Sequence, residues 1–458
     1  MSDDAGPWQG RRLHLVGVGG AGMSGYARVA HALGATLSGS DASSSPYLER
    51  LQADGVLQAR VGHHAENVPP GADVELVYSS AVPAENVERR AARERGLRER
   101  PRAELLGELS ALRRTIAVAG THGKTTTASM IVHALRAAGL DPGWLVGASI
   151  GDGEPNARWS DREWLVVEAD ESDRSMLSLS VEIAVLTNVE LDHHATFASL
   201  AELREAFRAF LALARAATVL WDRPELLALL PEQSSDAATV VRFDVPDPLL
   251  LAGGVRFQWR GAQVSLAVPG AHNALNAAAA LEAARLAGAE DARAIDGLAG
   301  FRGAGRRFQL LGRSARGAIV YDDYAHHPTE VAATLDAART LAHERLVAVF
   351  QPHLYSRSAL LAADFGRALA RADLVVVLDV YPARERAEDH PGVSGLLIAE
   401  ASADAADGRP VYWLPTFDAA ESVLDGLLEQ GDVCMVMGAG DVDTLARSLA
   451  GGGRLVAS

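Results

Sequence analysis

The sequence has one cysteine, one lysine, no apolar run of membrane-spanning length and no excess of positive charge. Each lack removes a class of protein. Cys434 cannot form an internal disulfide, and it sits in the apolar run Val433 to Met437, which reads as a buried strand; a reducing, cytoplasmic compartment is the expectation. The first apolar run, Leu13 to Val18, is cut by Gly17, Gly19 and Gly20, so it forms no signal-peptide core, and no membrane partner is expected. A formal net charge of -16 argues against a nucleic-acid partner, because neutralising phosphates takes clustered Lys and Arg. Any anionic ligand must therefore meet a local cationic site. Lys124 is the only lysine in a chain whose other basic positions are arginine. A lysine kept against such a bias points to a need for its small, flexible ammonium, which arginine's planar fork does not imitate; the alternative is chance survival.

What is present reads as three α/β domains, consistent with 458 residues at roughly 150 per domain. The first, 1–111, opens with a strand at Leu13 to Val18, a glycine-rich turn, a helix from Gly22 to Leu33 and a strand at Thr36 to Asp41, the start of a βαβ unit. An Arg- and Glu-rich stretch from Glu85 to Arg100 reads as helix. The second domain, 112–300, has strands at Thr115 to Ala119, Glu163 to Val167 and Glu182 to Leu186, and a long alanine-rich helix from Asn273 to Ala287. Alternation from Val255 to Val268 suits an antiparallel hairpin. The third, 301–458, has strands at Ala318 to Tyr321, Arg345 to Phe350, Asp373 to Leu378 and Asp432 to Met437 separated by helical stretches. No internal repeat is found.

Two glycine-rich turns carry phosphate chemistry. Gly17-Val18-Gly19-Gly20-Ala21-Gly22 fits G-x-G-x-x-G between strand and helix, where backbone amides can approach a diphosphate; the bland reading is a tight turn. Asp41 follows at the distance suited to a ribose hydroxyl, so an NAD-dependent oxidoreductase is a rival reading. Gly120-Thr121-His122-Gly123-Lys124-Thr125, followed by Thr126, ends a strand as a phosphate-binding loop for ATP, with Lys124 available to the β and γ phosphates and Thr125 to Mg2+. Val118 stands where the longer form of that loop has its first glycine.

Two acidic blocks, Glu168 to Asp173 and Asn188 to His194, follow strands of the same expected sheet, so they share a rim with the phosphate loop. Magnesium needs only one or two protein ligands beside phosphate oxygens and water, so Thr125 and Glu168 suffice for a first site. Asn273 in Ala271-His272-Asn273 reads as a helix cap, and Pro328-Thr329-Glu330 makes a helix start that leaves His327 a cap role. Asp322 to Pro328 and Gln351 to Arg357 follow strands and precede helices, positions suited to a small second substrate.

These blocks, in this order, resemble the muramyl ligases of peptidoglycan synthesis, from Gly17 to the Gly-Ala-Gly-Asp at 438 to 441. The resemblance implies an N-terminal Rossmann-like UDP-binding domain, a central P-loop ATPase-like domain and a C-terminal Rossmann-like domain that closes on three substrates. Within the family the blocks look like the branch that joins L-alanine to UDP-N-acetylmuramate through an acyl phosphate; the alternative is a recycling branch that attaches a tripeptide, whose acidic block differs at Ser172. The resemblance further implies that Gly19, Gly20, Ala21, Gly22, Met23, Asp41, His63 and Ser80 bind the UDP-substrate rather than NAD. It makes Asn273, Arg307 and Asp323 contacts of ATP beside residues 120–126, makes Glu168 and His193 metal ligands beside Thr125, and places His326 and Arg357 with Lys124 at the reaction centre. Leu354 stands where some members carry arginine, and with Lys124 alone the carbamylated lysine of several relatives cannot exist here. A non-catalytic nucleotide-sugar sensor is disfavoured by the complete phosphate loop; monomer and homodimer both stay open.

Overall fold

The computed structural model describes residues 6–151, 153–192, 196–230 and 238–451. The chain divides into two compact units, Met1–Asp244 with Asn276–Leu298, and Val245–Leu275 with Ala299–Ser458.

The first unit holds one parallel sheet and one largely parallel sheet. Strands β1 (Arg12–Val16), β2 (Thr36–Asp41), β3 (Ala59–Val61), β4 (Val74–Tyr78) and β5 (Arg98–Pro101) pair in the order β3-β2-β1-β4-β5. Every pairing is parallel. Helices α1 (Ala21–Ala32), α2 (Pro46–Ala53), α3 (Val87–Glu94) and α4 (Arg102–Ala111) connect and follow them. Here the structure corrects the expected helix from Glu85 to Arg100. That helix stops at Glu94 because Gly96 turns left-handed (φ +67°), and Leu97 is buried as the chain enters β5.

The central sheet has strands β6 (Arg114–Ala119), β7 (Gly143–Leu145), β8 (Ala157–Arg158), β9 (Trp164–Glu168), β10 (Ile183–Leu186), β11 (Ala217–Trp221) and β12 (Thr239–Phe243). Their order is β12-β11-β10-β6-β9-β7-β8, and β7–β8 alone is antiparallel. Both faces are covered, so these strands read as continuous apolar runs: Ile116 to Ala119 and Ala184 to Leu186 are fully buried. Each large apolar side chain buried there contributes about 1.5–3 kcal/mol. Helix α5 (Lys124–Ala137) runs directly out of the loop after β6.

The second unit begins with an antiparallel ribbon, β13 (Leu249–Leu251), β14 (Gly254–Trp259) and β15 (Ala262–Leu266). The expected hairpin is the β14–β15 pair, joined by Arg260 and Gly261, both at positive φ (50° and 82°) as a two-residue turn between twisted strands requires. The larger sheet is built from β16 (Gln309–Arg313), β17 (Ile319–Asp323), β18 (Arg345–Phe350), β19 (Leu374–Val377), β20 (Val411–Trp413) and β21 (Asp432–Met437), in the order β16-β17-β21-β18-β19-β20 with β16 antiparallel. Cys434 lies on the central β21, fully buried, and burial pushes its thiol up to about 12. It is a core residue, inert as a nucleophile. No helix among the described residues is long and apolar enough to cross a membrane.

Candidate active site

In the central sheet β6 lies between β10 and β9, so the loops leaving the carboxyl ends of these three strands are neighbours on one rim. The loop after β6 is residues 120–123, and Lys124 and Thr125 open the helix that follows. Gly120 (φ +131°) and Gly123 (φ +79°) both adopt conformations that side chains disfavour. A Cβ on Gly120 would lie 2.1 Å from Thr187 Oγ1, and one on Gly123 would lie 2.5 Å from Asn276 Oδ1. The segment after β10 pins the loop: His122 N donates to Asn188 Oδ1 (2.9 Å), Thr187 Oγ1 donates to His122 O (2.6 Å), and Thr121 Oγ1 donates to Glu190 O (2.8 Å). The His122 ring meets the Glu190 carboxylate at 3.0 Å.

Lys124 opens α5 and folds back over the loop. Its Nζ donates to Gly120 O (2.7 Å), Thr121 O (3.0 Å) and Glu171 Oε1 (2.9 Å). Burial alone would lower its pKa, but Glu171, Asp170 and Glu168 outweigh burial and hold it above the ordinary lysine value, so the ammonium is charged at neutral pH. Beside it Thr125 Oγ1 donates to both Glu168 oxygens (3.0 and 2.9 Å), and Gly147 N donates to Glu168 Oε2 (2.7 Å). Thr126 is buried in the next position. A hydroxyl and a carboxylate so close together offer the hard oxygen donors that magnesium prefers. His193, the third expected ligand, lies outside the described residues.

The first sheet has a second rim. Gly17 follows β1, Asp41 ends β2, His63 follows β3 and Ser80 follows β4. Gly19 N donates to Asp41 Oδ2 (2.8 Å), and Gly19 O accepts from Ser45 Oγ (2.7 Å), which fixes the turn ahead of Gly20 and Ala21. Met23 buries its side chain in the core, so only its backbone can serve a ligand. Ser80 is exposed. His63 Nδ1 lies 3.1 Å from Ser40 Oγ and 3.3 Å from Glu88 Oε1. Glu88 is fully buried and also meets His14 Nε2 (2.9 Å), Ser40 Oγ (2.7 Å) and Asn67 Nδ2 (2.8 Å).

In the second unit, helices α6 (Ala271–Leu286), α7 (Pro328–Ala338) and α8 (Tyr355–Leu369) begin at the remaining expected residues. Asn273 lies in the first turn of α6 and not at its cap, because the helix begins two residues earlier; its Nδ2 donates to Pro269 O (2.7 Å). Asp323 ends β17 and accepts from Phe308 N (2.7 Å) and Ala325 N (2.8 Å). Burial holds its carboxyl above the usual range. Arg307 lies over the Tyr324 ring, 4.8 Å from its centre.

The adjacent histidines separate cleanly. His327 caps α7, its Nδ1 accepting from Thr329 N (3.4 Å). His326 Nδ1 donates to Tyr324 O (2.9 Å), since a carbonyl only accepts, so the neutral ring presents Nε2 as the basic nitrogen. Its ring packs edge-on to His353, 5.9 Å between centres. His353 in turn stacks on Tyr381 (5.8 Å), and its Nδ1 is 3.2 Å from Nη1 of Arg357, in the first turn of α8. Leu354 takes φ +69° between them, its N–H bonded to Tyr381 O (3.0 Å).

Residue-type patterns did not single out Glu171, Asn188, Glu88 or His353. A polar residue two positions after the end of an apolar strand was the available signal for Asn188, and the four-residue spacing from Arg357 for His353.

Three family models match the chain in succession: the Mur ligase family catalytic domain at 12–114, the Mur ligase middle domain at 118–284, and the Mur ligase glutamate ligase domain at 306–440. The chain belongs to the Mur ligase family. A relative from Kineococcus radiotolerans, UDP-N-acetylmuramate--L-alanine ligase, is 46% identical across 95% of this chain and 94% of its own. Among solved Mur ligase structures, the UDP-N-acetylmuramate-alanine ligase of Thermotoga maritima superposes with a TM-score of 0.81 at 26% identity, covering 96% of this chain and 98% of that one. A murein peptide ligase of Psychrobacter arcticus shares the fold, with a TM-score of 0.71 at 23% identity, covering 98% and 100%.

Proposed function

We propose that this Mur ligase joins L-alanine to UDP-N-acetylmuramate at the expense of ATP, as its 46%-identical relative's name describes for that protein. The single observation that carries the reading is the rim of the central sheet, where the only lysine of the chain sits over the phosphate loop with the Thr125–Glu168 pair beside it. An NAD-dependent oxidoreductase accounts for the glycine turn at 17–22 but gives that rim no work.

In this reading residues 120–126 hold the ATP phosphates, with Asn273, Arg307 and Asp323 as further ATP contacts. Gly19 to Met23, Asp41, His63 and Ser80 receive the UDP moiety. Thr125, Glu168 and His193 hold Mg2+, whose role when bound is to neutralise phosphate charge. The lactyl carboxylate attacks the γ phosphorus, a new O–P bond forms and the bond to ADP breaks. A carboxylate alone is a poor acyl donor because its leaving group is an oxide; as acyl phosphate it has a good one. Lys124 neutralises the charge that develops on the transferred group. The alanine amine then attacks the acyl carbon and inorganic phosphate leaves. Arg357 suits the alanine carboxylate, and His326 Nε2 suits the proton that the amine must lose.

The acceptor is tested by measuring phosphate release from ATP and UDP-N-acetylmuramate with L-alanine, with the recycling tripeptide, and with neither. Release that requires L-alanine is expected. Release only with tripeptide would move the chain to the recycling branch, and no release with either would sink the reading.

A further inference from the structure

The first unit contains a cleft of about 160 Å³ lined by Ala21, Gly22, Tyr26, Arg102, Glu168 and Asp170 among others. Its lining thus includes both the glycine turn that opens α1 and the carboxylate that faces Thr125. The one cation among these lining side chains is Arg102, the first residue of α4, largely buried. Two of its three nitrogens are anchored: Nε donates to Asp173 Oδ2 (2.6 Å) and Nη2 to Asp170 Oδ2 (2.9 Å). Both acids are themselves fixed, Asp170 Oδ1 accepting from Ser172 N and Asp173 Oδ1 from Ser175 N. The third nitrogen, Nη1, has no hydrogen bond among the described residues and stands against the glycine turn, 2.7 Å from where a Cβ on Gly22 would be.

The guanidinium lies beside the amino end of α1, where the helix dipole is already positive; burial works against its charged form, and the acidic neighbours Asp173 and Asp170 outweigh burial and keep it charged. Dipole and fixed cation converge on one place, so an anion lying on the turn is addressed by backbone amides and guanidinium together.

We propose that Arg102 is a substrate-phosphate ligand, its Nη1 donating to the diphosphate of the UDP-linked substrate seated on Gly19 to Gly22. The proposal rests on the reading of that turn as the UDP site and adds a residue to it. Asp170 and Asp173 are positioning residues that hold the fork so that Nη1 points at the turn. Gly22 is glycine because any side chain would displace Nη1 from the place the phosphate oxygen needs.

The test is calorimetric titration of the full-length protein with UDP, with UDP-N-acetylmuramate and with a non-hydrolysable ATP analogue, comparing the parent with Arg102→Met and Arg102→Lys. Losing one charge-assisted hydrogen bond should weaken UDP and UDP-N-acetylmuramate alike, by about 10- to 100-fold, in the Met protein. The ATP analogue should bind within about twofold of the parent, and Lys should recover part of the loss by keeping the charge. Should the Met protein fail to fold, Arg102→Gln carries the same comparison. Unchanged UDP affinity, or an equal loss toward both nucleotides, would overturn the assignment. If the parent itself binds neither UDP ligand, the functional reading falls with it; if the parent binds and the variants bind as well, only the role of Arg102 falls.

Discussion

At the scale of single residues, the central fact is Lys124, whose ammonium reaches two loop carbonyls and Glu171 within 3.0 Å. Three donors on one nitrogen satisfy that nest, and a planar guanidinium cannot enter it without breaking the contact with Gly120 O. Lys124→Arg is therefore expected to lower kcat by about 10²- to 10³-fold, the scale for removing one preorganised charge-stabilising donor, while its thermal unfolding midpoint stays close to the parent's. Steady-state kinetics beside a melting curve checks this; a variant within tenfold of the parent would deny Lys124 its role. Composition alone draws attention to this residue, because a lone lysine in an arginine-rich chain stands out. Glu171 was not legible: it is one of several acids in a row, and only the fold shows which of them meets the ammonium. Asn273 gave the wrong local picture, a cap in sequence but a first-turn residue in the structure, because Gly270 at φ +103° starts the helix earlier.

At the scale of elements, the strand-loop-helix unit β6 to α5 depends on Gly123 in the left-handed region. An alanine there costs about 1–2 kcal/mol in backbone strain alone and drives its Cβ into Asn276 Oδ1. Gly123→Ala should lower the unfolding midpoint by several degrees and weaken the ATP analogue disproportionately, measured by melting curves and titration on one preparation. A second element-scale device is the junction of α3 with β1 and β2 through Glu88. Burial would raise its carboxyl, but hydrogen bonds from His14, Asn67 and Ser40 outweigh burial and hold it at about 2, against 4.5 for a free carboxyl. A depressed carboxyl stabilises the fold fully above its unfolded value and loses that contribution as pH falls from about 4.5 to about 2. Glu88→Gln should therefore cost stability at pH 7 and show a flatter fall in unfolding midpoint between pH 5 and 3 than the parent. A parallel fall in both proteins would remove Glu88 as the cause. Nothing in the sequence announced this junction, since Glu88 is one of several acids in the Arg- and Glu-rich stretch from Glu85 to Arg100.

At the scale of the whole molecule, the α/β architecture was legible because parallel strands buried on both faces leave apolar runs with glycine-rich turns at their ends, as at Leu13 to Val18 and Thr115 to Ala119. The short or polar edge strands were not. β3 is only three residues long with Arg60 at its centre, β5 reads Arg-Glu-Arg-Pro, and β20 carries exposed Tyr412 and Trp413, so none has the pattern of a buried strand. The site was legible as blocks, since each follows a strand of a parallel sheet, but the hydrogen bonds that assign roles within a block, such as the His326 tautomer and the His327 cap, depend on side-chain geometry. The account stands on a phosphate taken from ATP by the substrate's carboxylate before the amide forms. The most direct measurement supplies UDP-N-acetylmuramate labelled with 18O in the lactyl carboxylate, with ATP and L-alanine, and weighs the inorganic phosphate released. An acyl phosphate intermediate predicts one 18O transferred into each phosphate formed, in step with the appearance of the alanyl product. Phosphate free of label would contradict it.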